Sequence, residues 1–313
     1  MKRKKTGLIA GYFSALSVFL LLAGPSASGS EYANPQLLVS PADIEQHAGK
    51  WIVLDCRDVK AAVDKKTGET LKGYDDGHIP GAVNLGGDCS KVLRTKENET
   101  VFGDTKKYEQ ILGNAGISNG NTVVVYGDIP GITHATVGFW ILEYLGQQDV
   151  RFLNGGIKAW EDAGKKLDTA ETKLPPKHYK VHIVRSRIAT TEEVLKIAKG
   201  AEKDPQIVDA RTPAEYAGAD VRSKRGGHIP HCVLNVSQTE LYDKATGKIK
   251  SMDDLEKLFG GLNKNKRVIP HCQTGTRSTL AYLAFRLMGY KDPANYDDSW
   301  IIWGNREDTP IEK

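Results

Sequence analysis

The chain is poor in the features that mark a redox or zinc protein. Its 313 residues hold four cysteines, Cys56, Cys89, Cys232 and Cys272. No two of them form a CxxC pair or stand at zinc-finger spacing, which argues against a dithiol oxidoreductase and against a structural zinc. No basic block is present to grip nucleic acid. The net charge of +4 is accounted for by Lys2, Arg3, Lys4 and Lys5 in "MKRKK", and the remainder is close to neutral. Long apolar runs are missing too. The stretch from Leu8 to Ala23 is interrupted by Gly11, Ser14 and Ser17, and it is short against the ~20 apolar residues of a membrane span. Lying between a basic start and the small residues of "GPSASGS", it reads as a signal peptide over residues 1–29, cleaved near Ser26–Ser30, with an uncleaved anchor as the alternative. No cysteine follows "LLAGP" and Arg3 has no arginine neighbour, so lipoprotein attachment and twin-arginine export are unsupported. The expectation is an exported protein, periplasmic or extracellular, with no stable membrane insertion after cleavage. An oxidising compartment permits disulfides. If one cysteine is a working thiol, at most one bridge forms among the other three.

What remains has ordinary globular composition, 40% hydrophobic and 26% charged, over a length that suits two domains. The chain also repeats itself. "WIVLDCRD" (51–58) and "QIVDARTP" (206–213) each carry an apolar run ending in Asp-x-Arg, and each is followed by "GHIP", at 77–80 and 227–230. "TVVVYGD" (122–128) and "RVIPHC" (267–272) read as strands, and "TVGFWILEYLG" (136–146) and "TLAYLAFRLMG" (279–289) as helices. From these helices onward the copies run in step, so that Trp160 falls on Trp303 and "LNGGIKAW" on "YDDSWIIW". A repeat this long is a duplicated domain rather than a solenoid unit. Strands alternating with helices predict α/β domains, each with a parallel sheet flanked by helices. The boundaries read as 34–164 and 182–313, joined by a polar, proline-containing linker at 165–181.

The second copy holds the segment with the most chemistry, "PHCQTGTRS" (270–278). The loop at the carboxyl end of a parallel strand, followed by a helix, is where open α/β folds bind ligands. Backbone N–H groups there form an anion-binding nest, and the helix adds its positive end. A thiolate at Cys272 is stabilised by such surroundings. Arg277 supplies a fixed cation suited to an oxyanion. Protein tyrosine phosphatases place five residues between the cysteine and the arginine. Here four intervene, Gln273, Thr274, Gly275 and Thr276, and the tighter ring suits one extra sulfur atom better than a phosphoryl group. Thr274 and Thr276 offer hydroxyls either to a substrate or to the next helix, Gln273 faces the entrance, and Ser278 reads as a helix cap. Period-two alternation turns His271 to the face opposite Cys272, which gives it a structural role.

Together the paired Asp-x-Arg, the paired "GHIP", the Cys-led loop and "YDDSW" make the chain resemble the tandem-domain rhodaneses, over nearly everything after the signal segment. The resemblance implies two similar rhodanese-like domains, the first inactive and helping to form the cleft. The second would be a thiosulfate sulfurtransferase that moves the sulfane sulfur to cyanide or a thiol through a persulfide on Cys272, without a cofactor. Arg277, Gln273, Thr274, Gly275 and Thr276 would bind the donor, with Asp209 and Arg211 in support. Counting along the strand sets Asp128 of the first copy opposite Cys272 and His134 opposite Arg277, with a loop one residue longer. His78 and His228, in the two "GHIP" segments, read as turn-fixing residues rather than metal ligands. The second copy departs from the family in "GHIPHC", which carries His231 and Cys232, and in Asp298 of "YDDSW". Glu215 stands where some thiosulfate-specific members carry an arginine. The open alternatives are a 3-mercaptopyruvate sulfurtransferase, a cysteine-dependent phosphatase or arsenate reductase, and a non-catalytic persulfide-binding module.

Overall fold

In the computed structural model, Met1 and residues 31–63, 68–94, 101 and 103–313 are described. The proposed signal segment lies outside them. Among the described residues no helix is long and apolar enough to cross a membrane. The two copies fold as two α/β units of one design. In the first, five parallel strands run in the order Leu38–Val39, Asp149–Leu153, Thr122–Tyr126, Ile52–Asp55, Val83–Asn84. The second repeats this order as Ile188–Ala189 against Asn295–Tyr296, then Asp292–Pro293, Arg267–His271, Gln206–Asp209 and Cys232–Asn235. The central strands are β-branched runs such as "TVVVY", buried along almost their whole length. Strands covered on both faces read as continuous apolar runs.

The helices Ile132–Tyr144 and Ser278–Leu287 follow the central strands of the two copies and pack on each other. Both are buried nearly all round, because one side of each faces its own sheet and the other side faces the sister helix. Residues of both copies therefore share one apolar core. Across this seam Thr136 Oγ1 meets Thr279 Oγ1 at 2.7 Å, and Glu143 is bridged by Arg286 at 2.8 Å, each pair being 143 residues apart. That separation is the repeat offset itself, so each residue meets its own counterpart across a local two-fold axis. The intervening segment is no loose tether. Thr172 N donates to Tyr74 Oη, Lys177 N to Gly113 O, Val181 N to Glu109 and His182 N to Leu145 O.

One disulfide, Cys56–Cys89, ties the segment after a central strand to the short helix Cys89–Val92. Spacing alone did not mark this pair. Both sulfurs rest on Gly138 in the middle of the helix Ile132–Tyr144, where an added Cβ would come within 2.9 Å of Cys56 Sγ. Closing a loop of 33 residues removes denatured-state entropy worth roughly 3–4 kcal/mol. Replacing both cysteines by serine is expected to lower the thermal unfolding midpoint by several degrees and to leave Cys272 chemistry in place. Calorimetry of the oxidised wild type beside the variant checks this.

Candidate active site

The cradle around Cys272 is held largely from another segment, residues 295–301. Cys272 follows the strand Arg267–His271 and is fully buried. Its amide donates to Ser299 Oγ at 3.1 Å, and its carbonyl accepts from Trp300 N at 3.0 Å. Gln273 O accepts from Ile301 N at 2.8 Å. Ser299 sits at φ +50°, a left-handed conformation that costs a serine about 1–2 kcal/mol. Its hydroxyl donates onward to Tyr296 O, which fixes it beneath the cysteine. Gly275 is at φ +74° with an added Cβ only 2.4 Å from Asp297 O, so only glycine fits there. Ser278 Oγ lies 3.0 Å from Gly275 O and 2.6 Å from Asn295 Oδ1. It closes the loop rather than capping the helix, a correction to the sequence reading. Among the described residues no protein acceptor takes the amide protons of Gln273 to Arg277. They are left for an anion.

The sequence-derived residues do not all stand free. Arg277 forms a two-pronged pair with Glu215, at 2.8 and 2.7 Å. Glu215 also accepts from Thr212 N in the capping box of the helix Pro213–Tyr216. Burial works to raise the Glu215 carboxyl, but the Arg277 pair and the Thr212 amide outweigh it and hold it down at about 2. Burial likewise opposes the charge on Arg277, and Glu215 together with Cys272 raises that group above its ordinary value. The position read as a missing arginine is thus the partner of the loop's own arginine, which sequence spacing did not reveal. Arg222 lies 3.6 Å from the same carboxylate. Gln273 Nε2 reaches Ser223 Oγ at 3.2 Å, which places it at the rim. Thr276 Oγ1 accepts from Arg94 of the first copy at 2.8 Å. Thr274 is half-buried.

Asp209 and Arg211 form a buried pair at 2.7 Å. They reach the loop indirectly. Arg211 donates to Gly227 O at 2.7 Å and stacks over Trp300, whose amide holds the Cys272 carbonyl. Asp55 and Arg57 repeat the arrangement on Gly77 O. His78 and His228 stack on Tyr74 and Tyr216 and bond to the carbonyls of the same residues. They hold turns, and no cluster of metal ligands occurs among the described residues. His231 takes φ +62° where the first copy has Gly81 at +79°. Burial, with Asp209 adding to it, pushes the Cys232 thiol up to about 12 and keeps it protonated.

Strand register corrects one pairing. Tyr126 lies opposite Asp55 and His271 opposite Asp209. The next residues are Gly127 and Cys272, and each carbonyl accepts from an equivalent amide, Ile157 N and Trp300 N. The counterpart of Cys272 is therefore Gly127, not Asp128, and the first loop is two residues longer than its counterpart rather than one. The count along the sequence set the two strands one residue out of step, whereas the register aligns Val123 with Val268. Asp128 turns inward to accept from Gly131 N at 2.6 Å.

The sequence matches the Rhodanese-like domain family at residues 40–163 and 190–306. It is 32% identical over 298 residues to the sulfur carrier protein TtuD of Thermus thermophilus, covering 90% of this chain and 98% of that protein. It is 31% identical over 300 residues to a thiosulfate sulfurtransferase of Corynebacterium glutamicum, covering 92% and 94%. Among solved structures, an anaerobic ergothioneine biosynthesis enzyme from Chlorobium limicola shares the fold with a TM-score of 0.77 at 21% identity, over 91% of this chain and 72% of that one.

His271 carries a pH dependence. Burial pushes its imidazole down to about 4 from 6.5, and Asp209, with Oδ2 3.5 Å from Nε2, only partly offsets this. The folded state therefore stays unprotonated while the unfolded chain takes up a proton, and stability is lost as pH falls from 6.5 towards 4. The unfolding midpoint of the wild type is expected to drop over this interval, and that of His271→Gln to drop less. Melts across the range check it.

Proposed function

The chain belongs to the Rhodanese-like domain family and is a sulfurtransferase of that family, and we propose that thiosulfate is its sulfur donor and that Cys272 carries the sulfur. The observation that carries this reading is the buried, unbridged Cys272 at the mouth of a loop whose amides have no protein acceptor among the described residues. The Cys272 thiolate attacks the outer sulfur of thiosulfate. A new S–S bond forms, the bond to the sulfonate sulfur breaks, and sulfite leaves with the electron pair. The persulfide anion is held by the loop amides and the N-terminal end of the helix Ser278–Leu287. Cyanide or a thiolate then attacks the outer sulfur, and the Cys272 thiolate departs. Covalent transfer in two steps gives ping-pong kinetics, and no cofactor takes part.

Arg277 orients the sulfonate through the N–H groups that Glu215 does not use. Its pairing with Glu215 is the observation that favours a second reading, 3-mercaptopyruvate as donor, because a neutralised arginine attracts a dianion less. The four-residue spacing and the named relatives support sulfur transfer over phosphoryl transfer. Cys272→Ser is expected to abolish thiocyanate formation and the mass gain of one sulfur after thiosulfate treatment, with the fold retained. Arg277→Ala should reduce kcat/KM for thiosulfate on the order of 10- to 100-fold, the worth of a charged hydrogen bond. Mercaptopyruvate, whose carboxylate lies far from its sulfur, should lose less. A greater loss for mercaptopyruvate would reverse the donor assignment.

Export is proposed from the order of residues at the N-terminus, and the Cys56–Cys89 disulfide supports an oxidising compartment. N-terminal sequencing of protein recovered from the periplasm or medium is expected to start near residues 27–31. Intact Met1 on membrane-bound protein would instead mean a retained anchor.

A further inference from the structure

The first copy sends one charged side chain into the loop of the second. Arg94 follows the short helix Cys89–Val92, which the disulfide anchors. It is 5% exposed, and its guanidinium crosses the seam. Nη1 donates to Thr276 Oγ1 at 2.8 Å, and Nη2 donates to Gly275 O at 3.1 Å and to Asp297 Oδ1 at 2.5 Å. The same fork thus ties two residues of the Cys272 loop to the carboxylate against which Gly275 is packed. Its Cζ lies 5.8 Å from the Trp140 ring, which backs it from the helix Ile132–Tyr144.

The duplication provides an internal control. Arg94 and Val101 form an isolated antiparallel bridge, and Tyr242 and Ile249 form a bridge of the same length in the second copy. The equivalent of Arg94 is therefore Tyr242, a residue of the shared apolar core. Among the described residues the reciprocal grip on the first copy's loop has no cation, and only the loop that carries a cysteine is held by an arginine from its neighbour.

We propose that Arg94 is a positioning residue for sulfur transfer, contributed by the domain whose own loop lacks a cysteine. It holds Gly275 O and Thr276 in place, and so keeps the amides of residues 273–277, which have no protein acceptor among the described residues, arranged around the sulfur of Cys272. The proposal rests on reading Cys272 as the sulfur carrier. A loop whose donors drift by about 1 Å loses roughly a hundredfold in rate without losing its ligand. The effect should therefore fall on kcat, with KM for thiosulfate little changed, because Arg94 does not touch the donor.

The test uses the full chain. Arg94→Ala takes a cation away from the buried Asp297 and risks misfolding, so Arg94→Met combined with Asp297→Asn removes both charges of the pair together. The folded double variant is expected to lose about 10- to 100-fold in kcat with KM within about threefold. Millimolar guanidinium is expected to restore part of the activity of Arg94→Ala by occupying the vacated site. A folded double variant with wild-type kcat, or one that loses only thermal stability, would overturn the proposal. Wild type is treated with thiosulfate in parallel. If it gains no sulfur, the carrier reading itself fails. If it does and the variants turn over normally, only the role of Arg94 fails.

Discussion

A loop whose amides find no protein acceptor among the described residues does not hold its shape by itself. Backbone donors removed from water usually find acceptors, and a peptide free to do so would turn its N–H groups elsewhere. The Cys272 loop is prevented from relaxing by contacts made from outside. Ser299 pins the cysteine amide, Trp300 and Ile301 take the first two carbonyls, and Asn295, Ser278 and Arg94 converge on Gly275 O. The segment "ANYDDSW" is therefore as much part of the site as the cysteine loop. The left-handed Ser299 is a local cost accepted for the sake of that shape.

The two copies show which parts of this scaffold are general. Both have the Asp–Arg pair bonded to the glycine before "HIP", and both have a positive φ at the residue before Ile157 or Trp300. These features organise the turns of the fold whether or not sulfur is carried. The differences fall on the loop and its clamps. Gly127 replaces the thiol, and two added residues relax the ring. Asp128 fills the interior with a carboxylate that burial raises above its ordinary value. A glycine at position 156 takes the backbone conformation that Ser299 holds under strain.

Much of this was legible before the structure. Alternation of apolar runs and paired motifs located both parallel sheets, and Trp160 falling on Trp303 gave the offset on which Thr136 and Thr279 meet. Local spacing also identified the loop and the arginine that closes it. What escaped was non-local. Glu215 looked like an absence at one position, and only the folded chain brings it against Arg277, 62 residues away. Arg94 stands in no motif, and its partners are more than 180 residues distant. The Cys56–Cys89 pair likewise follows from the sheet, which sets the end of one strand beside a helix that the sequence pattern barely marks.

The shared core has a consequence for how the chain is made. Translation delivers the helix Ile132–Tyr144 long before the helix that covers it, and the counterparts that meet at the axis are 143 residues apart. At ~5–20 residues per second, the apolar outer face of the first domain waits about 7–30 s for its cover. During that interval the nascent half is a sticky, incomplete particle. A chain released early would carry the same bare face permanently, so the duplicated gene yields a molecule whose first half depends on the second for its solubility.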